Sequence, residues 1–170
     1  MEGGLVARTE MNSAEFRSAM RHVPAAVWLI AAGTTGARTG LTATAVCPLS
    51  DEPPAMLVCV NRSAGAHDVI VSAGVFSMNM LAAGQEQIGE RFAGRFGQRG
   101  EERFAGLTWR TLVTGAPVFA DALCALDCEV IEARPLATHS VIVGRVVGGV
   151  ARADALPLLY RDGRYVTLSR

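Results

Sequence analysis

The sequence predicts a mainly β fold, an antiparallel barrel that carries a few peripheral helices. Segments with the features of strands outnumber those with the features of helices, and helices fall between only some of the strands. The pattern lacks the regular alternation of strand and helix that would indicate a parallel sheet. At 170 residues, half of them apolar, the chain is expected to form one domain with a sizeable core.

The N-terminal part predicts one helix followed by two strands. Asn12 is expected to cap the helix, with Glu15 at its third position, and Pro24 to end it. The apolar face of this helix would consist of Phe16, Met20 and Val23. Two segments rich in apolar and β-branched residues, Ala26–Ala32 and Thr39–Cys47, predict strands on either side of a glycine-containing turn.

The remaining elements are predicted by the same rules. Apolar runs and two-residue alternation predict strands at Met56–Val60, Val75–Leu81, Leu107–Val113, Leu123–Ala133 and Ser140–Val150. Helical spacing predicts helices at Ala66–Ser72, ended by Gly74, and at Gln85–Phe92. Loops are expected at Pro48–Pro54 and at Gly94–Arg103, the second of them mobile, and a closing hairpin at Tyr160–Leu168 would turn at Asp162 and Gly163.

Charge and composition exclude several classes of function. The formal net charge is zero, so no basic excess points to nucleic acid or to a membrane surface. All 16 basic residues are arginine, which excludes a lysine Schiff base and a P-loop lysine. A Gly-x-Gly-x-x-Gly at a strand-to-helix junction is also missing, so a Rossmann fold has no support.

The apolar runs are too short to predict a membrane span. The longest of them, Ala25–Ala32 and Ala55–Val60, fall well short of the roughly 20 residues that a spanning helix needs. The N-terminus has neither the basic start nor the apolar core of a secretory signal. We therefore expect a cytoplasmic protein whose residues 1–10 form a flexible tail and whose residues 11–170 form the folded domain.

The cysteines and histidines do not predict a metal site. The four cysteines, at positions 47, 59, 124 and 128, are expected to be free thiols that serve mostly as buried small hydrophobes. Cys124 and Cys128 lack the Cys-x-x-Cys spacing and a nearby histidine, which argues against zinc. Among the histidines, His22 is expected on the surface of the first helix and His67 at the cap of another.

The first candidate binding site lies in the segment Gly40–Cys47. Thr42, Ala43, Thr44 and Ala45 place small side chains at adjacent positions, which would let a flat ligand approach the backbone. An isoalloxazine ring needs such an approach, with backbone N–H donors near its N5, O4 and O2 atoms. Taken alone, however, the segment is better explained as an ordinary strand rich in threonine.

Three further motifs are candidates for ligand contacts. Asn61, Arg62 and Ser63 follow an apolar strand and offer donors to a phosphate, although a polar turn explains them equally well. His139, at the start of a long strand, could contact a nicotinamide or move a proton, although a lone histidine there is more often structural. The basic stretch Arg91–Arg99 is expected to form a lid or a dimer contact near an anionic cofactor.

The order of these motifs along the chain carries a family resemblance. The chain resembles the short-chain flavin reductases, which have an FMN-binding split-barrel fold and include the reductase components of two-component monooxygenases. The matching segments run from Phe16 to Leu168 and comprise Phe16–Met20, Gly40–Cys47, Pro53-Pro54, Asn61–Ser63, Phe76–Leu81, Gln85, Arg91–Gly94, Arg103-Phe104, Trp109, Gly115–Pro117, the Cys128 segment, His139, Gly144–Val146 and Pro157–Tyr160. Among its subgroups the chain is most similar to the pyrimidine-utilisation flavin reductases and to the cob(II)yrinic acid a,c-diamide reductases.

The resemblance implies a homodimeric, antiparallel split β-barrel with a flavin, FMN or FAD, at the subunit interface. NADH or NADPH would transfer a hydride to this flavin, and a partner monooxygenase would receive the electrons. The resemblance assigns the flavin ring to Thr42–Ala45 and its ribityl and phosphate groups to Asn61, Arg62 and Ser63. It adds Phe92 and Gly94 as cofactor-binding residues and places His139, the candidate catalytic residue, beside the nicotinamide. The family's Gly-Asp before this histidine is replaced by Ala137 and Thr138.

Two alternatives to a flavin reductase that supplies an oxygenase remain open at this point. A flavin-dependent corrinoid reductase would pass electrons to bound cob(II)yrinic acid a,c-diamide and so act in cobalamin biosynthesis. A non-catalytic flavin-binding protein, such as a carrier or sensor, would use the same barrel, and the loss of Gly-Asp before His139 favours it. The motifs do not separate FMN from FAD or NADH from NADPH.

Overall fold

A computed structural model describes residues 10–168, so the predicted tail lies outside the described residues except for Glu10. The fold is mainly β and antiparallel, as predicted. Its helices are α1 (Ser13–Met20), α2 (His67–Ala73) and α3 (Glu86–Phe92), and a 3₁₀ helix covers Gly100–Phe104. Its strands are β1 (Ala25–Ala26), β2 (Trp28–Ala32), β3 (Thr39–Ala43), β4 (Val46–Asp51), β5 (Pro54–Asn61), β6 (Val75–Met80), β7 (Trp109–Arg110), β8 (Val118–Phe119), β9 (Cys124–Leu136), β10 (His139–Ala151), β11 (Leu158–Arg161) and β12 (Arg164–Thr167).

The main sheet has seven strands in the order β3-β2-β6-β9-β10-β5-β4. Its two edge strands, β3 and β4, are consecutive in sequence, and only Thr44 and Ala45 separate them. Two residues cannot cross an open sheet, because an extended chain advances about 3.4 Å per residue while each strand adds about 4.8 Å of width. The sheet therefore curls until its edges meet at Thr44 and Ala45, which is how the predicted barrel forms.

Two apolar clusters lie on the two faces of β2. Ile30 packs inside the curled sheet with Val58, Phe76 and Ile142. Leu29 packs on the other face with the aromatic cluster Phe92, Phe104, Trp109 and Phe119, whose neighbouring ring centroids lie 4.6 to 5.9 Å apart. Burial on both faces explains why β2 reads as a continuous apolar run instead of an alternating one.

The strand predicted at Thr39–Cys47 is wrong at its centre, since β3 ends at Ala43 and β4 begins at Val46. The loop predicted at Pro48–Pro54 is also wrong, because β4 continues to Asp51 and pairs with β5 from Pro54 onward. The first error arises because the sequence is continuously β-like at Thr39–Cys47, and only the change from one sheet edge to the other interrupts it. The second arises because β4 is an edge strand that pairs with β5 alone, and an edge position tolerates the proline and polar residues that predicted a loop.

The strand predicted at Leu107–Val113 is mostly wrong, because only Trp109–Arg110 is extended and paired. The backbone N–H groups of Val113 and Thr114 donate instead to the carboxylate of Asp127, at 2.7 and 2.8 Å. Asp127 is fully buried, so these bonds satisfy a charge that would otherwise be costly inside the fold. The segment is therefore held by a side chain where a sheet partner was expected.

The predicted role of His67 as a helix cap is wrong. Ala66 occupies the N-cap of α2, and no side chain caps it. The buried ring of His67 has its Nδ1 2.7 Å from Asp68 Oδ1 and its Nε2 2.8 Å from Ser140 Oγ. It thereby ties α2 to β10, next to His139.

The cysteines are free thiols within the described residues, but they are not uniformly buried. Cys128 is buried, and burial together with the neighbouring Asp127 raises the pKa of its thiol to about 12. Cys47, by contrast, is exposed on the edge strand β4. No group of three or more His, Cys, Asp or Glu side chains in residues 10–168 could hold a metal ion. The same residues contain no helix with the length and apolar character that crossing a membrane requires.

The helix α1 begins as predicted but does not bury its apolar face. Asn12 accepts hydrogen bonds from the N–H groups of Ala14 and Glu15, and the Glu15 carboxylate accepts one from Asn12 in return. No residue of this helix is buried, and Phe16 remains 55% exposed. The helix is therefore well capped but leaves its apolar face uncovered in the single chain.

Replacing Gly144 with alanine is expected to destabilise the fold by about 1–3 kcal/mol, the usual cost of overpacking a core. An added Cβ would lie 2.6 Å from Cζ of the buried Phe76 ring and 3.0 Å from Cβ of Cys128. Urea unfolding followed by circular dichroism measures the change. Gly65→Ala is the control, since a Cβ there meets open space; equal stability of the two variants would contradict the close packing at Gly144.

Candidate functional site

Two adjoining cavities lie near the meeting point of the sheet edges. The first, here called the strand cavity, measures about 420 Å³ and is lined by β3 with the two residues after it, the ends of β5 and α3, and the start of β10. The second, here called the arginine cavity, measures about 540 Å³ and is lined mainly by the loop that follows α3. Gly65, Ala66 and Arg103 line both cavities, so the two form one continuous candidate site.

The structure brings most of the predicted site residues together. The strand cavity is lined by Thr42, Ala43, Thr44, Ala45, Asn61, Phe92 and His139. Ser63 and Gly94 line the arginine cavity. Arg62 lines neither cavity: its side chain is exposed, and its backbone N–H donates to the Thr138 carbonyl at 3.0 Å. Its contact with a phosphate stays a prediction.

The break between β3 and β4 supplies free backbone donors. No hydrogen bond to a described residue uses the backbone N–H of Thr44 or of Ala45, although Ala45 accepts one from Cys59 N–H at 2.9 Å. Both residues are exposed and carry small side chains. The Thr42 hydroxyl, by contrast, donates to the Gly89 carbonyl at 2.6 Å, so it fixes α3 against β3 and its proton is not available to a ligand. The donors that a flat, acceptor-rich ring needs are therefore those of Thr44 and Ala45.

The opposite wall is formed where β5 and β10 pair. His139 stands directly opposite Asn61 in the ladder, so both side chains lie on the same face, and both line the strand cavity. Asn61 Oδ1 accepts from the backbone N–H and the hydroxyl of Ser63, both at 2.9 Å, and so shapes the turn after β5. His139 Nδ1 lies 2.9 Å from the Thr138 hydroxyl, which leaves its Nε2 for a ligand.

Arg103 is a further candidate site residue that the sequence motifs did not single out, since they place it only in a mobile loop and in a family motif. Arg103 donates from Nε to the Gln98 carbonyl at 2.9 Å and from Nη1 to the carbonyls of Gly40 and Phe92 at 2.8 and 3.1 Å. Its Nη2 makes no hydrogen bond to a described residue. It lies beside Gly94, where an added Cβ would be 3.2 Å away. The guanidinium therefore holds the loop after α3 in place by these hydrogen bonds, and its Nη2 remains a free donor at the junction of the cavities.

The electrostatics of both cavities favour an anion. None of the described residues that line them is acidic, whereas Arg103 lines both and Arg99 lines the arginine cavity. Burial lowers the pKa of Arg103, and the nearby positive charge of Arg99 lowers it further. An arginine stays protonated despite such a shift. Because no described acidic residue lines the cavities, a bound phosphate could balance the positive charge of Arg103.

A third, more open groove adjoins the strand cavity. It measures about 620 Å³ and lies between α1 and the turn that joins β11 to β12. Phe16, Met20 and Val23 line it, and all three are substantially exposed. Thr44 lines both this groove and the strand cavity. An apolar surface thus runs directly up to the candidate ligand site.

The chain matches known proteins over nearly its whole length. The family model described as a flavin reductase like domain covers residues 20–169. FMN reductase (NADH) RutF 1 of Methylorubrum extorquens is 40% identical over 96% of this chain and 81% of its own length. FMN reductase (NADH) RutF of Pseudomonas syringae pv. syringae is 43% identical over 88% of this chain and 83% of its own.

A solved structure shares the fold. BorF, described as the flavin reductase component of a bacterial two-component tryptophan halogenase, superposes with a TM-score of 0.85 at 27% identity. The match covers 94% of this chain and 99% of BorF. The antiparallel architecture predicted from the sequence is thus confirmed, with the candidate site at the join of its two sheet edges.

Proposed function

Because the chain belongs to the flavin reductase like domain family, we propose that it is an oxidoreductase that uses NADH to reduce FMN. The family resemblance inferred from the motifs is therefore confirmed. One observation carries the proposal for this chain. The free backbone N–H groups of Thr44 and Ala45, where the two sheet edges meet, lie beside two cavities that Arg103 lines and whose described lining holds no acidic residue.

The strand cavity suits the isoalloxazine ring. The unpaired N–H groups of Thr44 and Ala45 match the acceptors N5, O4 and O2, and the small side chains of these residues let the ring approach the backbone. Ala43 and Phe92, both buried, form the apolar base of the cavity. Because these residues are fixed by the sheet, the ring would be oriented by a rigid frame.

The junction of the two cavities suits the phosphate. The free Nη2 of Arg103 would donate to it, with Ser63 on the same cavity wall. A charge-assisted bond of this kind is strong in a half-buried setting. Gly94 belongs to this contact because its missing side chain leaves room beside the guanidinium.

When bound, FMN would supply the chemistry, because its ring can accept a hydride from the nicotinamide of NADH. The protein's part is to hold the ring by the donors of Thr44 and Ala45 and to leave its face open. His139 Nε2 would position the nicotinamide amide across the cavity. Cys59 also lines this cavity.

Replacing His139 with alanine is expected to raise the KM for NADH about tenfold, the effect of one lost hydrogen bond, while FMN affinity changes little. Steady-state kinetics with NADH varied at saturating FMN, together with an FMN titration, give the two numbers. His22→Ala serves as the control, since His22 lies on the exposed surface outside both cavities. A larger loss in FMN affinity than in the KM for NADH would contradict this role.

We further propose a homodimer in which a second copy covers the groove beside α1. The exposed apolar face of α1 and the position of Thr44 in both groove and strand cavity support this, since a covering subunit would also close the flavin site. BorF is the flavin reductase component of a two-component system, and this likeness supports a monooxygenase-type partner for the reduced flavin. The RutF names of the two relatives favour flavin supply over corrinoid reduction or a non-catalytic role. The cytoplasmic location stays a prediction.

Replacing Phe16 with aspartate is expected to convert the dimer to a monomer, because a charge would be desolvated in an apolar contact. Light scattering coupled to size-exclusion chromatography measures the mass. Val71→Asp, on the exposed side of α2, is the control and is expected to leave the mass unchanged. A Phe16 variant that keeps the wild-type mass would place the subunit interface elsewhere.

The proposed activity is tested by the decrease of absorbance at the NADH band when FMN is added to protein and NADH. We expect oxidation of NADH that depends on both the protein and the flavin. Protein that binds FMN without consuming NADH would identify a carrier or sensor instead.

A further inference from the structure

His67, at the start of α2, is the buried centre of three hydrogen-bonded side chains. Its Nδ1 lies 2.7 Å from Asp68 Oδ1, and its Nε2 lies 2.8 Å from Ser140 Oγ. The order Asp, His, Ser is that of a hydrolase triad. Ser140, however, is 2% exposed and lines neither cavity, so its hydroxyl cannot attack a substrate bound there. The three side chains therefore need a different explanation.

The contact between His67 and Ser140 is the stronger of the two. A carboxylate only accepts, so the ring donates from Nδ1 to Asp68, and Nε2 of a neutral ring accepts from the Ser140 hydroxyl. The side chain of Asp68 is 95% exposed, so solvent weakens its contact. The contact with Ser140 is buried, and removal of the ring would leave a buried hydroxyl without this partner, which is unfavourable.

This buried hydrogen bond joins two walls of the candidate site. Gly65 and Ala66, directly before His67, line both cavities, and His139, directly before Ser140, lines the strand cavity. Successive residues of a strand point to opposite faces of the sheet. A bond to Ser140 on the buried face therefore fixes the backbone from which His139 points to the cavity.

No second side-chain bond duplicates this connection. Among residues 10–168, the hydrogen bond of His67 is the only one from a side chain of α2 to a strand. Ala66, at the N-cap of α2, contributes no side-chain bond either. His139 is the first residue of β10, and the end of a strand is displaced more easily than its middle. A shift of Ser140 would therefore be passed on to His139.

We propose that His67 is a positioning residue that acts through His139. By its bond to Ser140 it sets where the His139 ring stands relative to the wall formed by Gly65 and Ala66. This rests on the proposed function, in which His139 positions the nicotinamide of NADH. His67 itself touches neither flavin nor nicotinamide, so its effect is confined to the binding of NADH.

The first test is steady-state kinetics of His67→Phe, which keeps a ring and loses both nitrogens. We expect the KM for NADH to rise about three- to tenfold, the effect of one hydrogen bond, while kcat changes less than about twofold. His67→Gln is expected to recover most of the loss, because its amide extends about as far as Nε2 and can donate or accept. Ser72→Ala is the matched control, since it removes an exposed hydroxyl from the same helix.

Ser140→Ala removes the other end of the bond and is expected to raise the KM for NADH in the same direction. It keeps the test open if His67→Phe does not fold by circular dichroism. An unchanged KM for NADH in the folded variants would overturn the proposal.

The second test asks whether His67 acts through His139. The double variant His67→Phe/His139→Ala is expected to have the KM for NADH of His139→Ala alone, because the residue that His67 positions is already missing. Independent effects that multiply in the double variant would instead assign His67 a purely structural role and overturn the proposal.

The third test does not depend on activity. The ring signals of His139 in the NMR spectrum are expected to shift in His67→Phe, while those of His22, which lines neither cavity, stay in place. Shifted His139 signals in a protein that does not oxidise NADH would uphold the coupling and overturn the proposed function. NADH oxidation with unshifted His139 signals would overturn the coupling alone.

Discussion

Arg103→Ala is expected to weaken FMN binding by about ten- to a hundredfold, since a charge-assisted hydrogen bond contributes roughly 1.5–3 kcal/mol. The free Nη2 beside Gly94 is the donor placed at the junction of the two cavities. Quenching of flavin fluorescence measures the affinity. Arg103→Lys keeps the charge but loses the fork that holds the loop, so it is expected to recover only part of the loss.

Riboflavin, which lacks the phosphate, separates a phosphate contact from a purely structural role. If Arg103 acts on the phosphate, the alanine variant should bind riboflavin as the wild type does. Equal losses for FMN and riboflavin would instead assign the effect to the bonds that Arg103 makes to Gly40, Phe92 and Gln98.

Arg62→Ala is the matched comparison for this experiment. The Asn-Arg-Ser motif predicts that Arg62 holds the phosphate, whereas its exposed side chain lines neither cavity. A loss of about tenfold or more at Arg62 with none at Arg103 would favour the motif over the observed geometry.

Much of the fold was predictable because its signals are local. Residue alternation predicts the long strands, and the capping pair Asn12 and Glu15 predicts the start of α1. Asp162 and Gly163 predict the last hairpin turn, where both residues have positive φ. These features depend on neighbours within a few positions. They can therefore be recognised from the sequence without knowledge of the tertiary structure.

What could not be predicted depends on distant partners. The break at Thr44 and Ala45 arises because β3 and β4 lie on opposite edges of one sheet, a fact of topology that no local pattern records. Arg103 reaches the carbonyl of Gly40, 63 positions earlier in the chain. The Val113 N–H donates to the side chain of Asp127 rather than to the backbone of a neighbouring strand. In each case a long-range hydrogen bond or sheet edge overrides the local propensity.

The candidate site likewise has a part that was predictable from the sequence and a part that depends on the fold. The ring segment Thr42–Ala45 was found from its small side chains and its place before Asn61 and His139, and all six of these residues line one cavity. The free N–H groups that make the segment useful follow from the strand break, so they became visible only with the fold. The sequence therefore predicted a ring contact at this segment but not the free backbone donors on which the proposed contact depends.

Ala45→Trp is expected to reduce FMN affinity by at least about a hundredfold, or roughly 2.7 kcal/mol, while the protein remains folded. Ala45 is exposed and lies in the break between β3 and β4, so a larger side chain there disturbs no core packing. An indole at this position would fill the strand cavity directly over the N–H groups assigned to the ring. Riboflavin binding should be lost in parallel, unlike in Arg103→Ala, because the obstruction lies at the ring.

Ala153→Trp adds the same side chain at an exposed position that lines neither cavity and controls for the general effect of an indole. Its flavin affinity is expected to equal that of the wild type. If Ala45→Trp is folded by circular dichroism and still binds FMN normally, the ring does not lie on the join of the sheet edges. The Ala45 and Arg103 variants together then locate the ring. If FMN affinity falls in Arg103→Ala but is unchanged in Ala45→Trp, the ring lies in the arginine cavity.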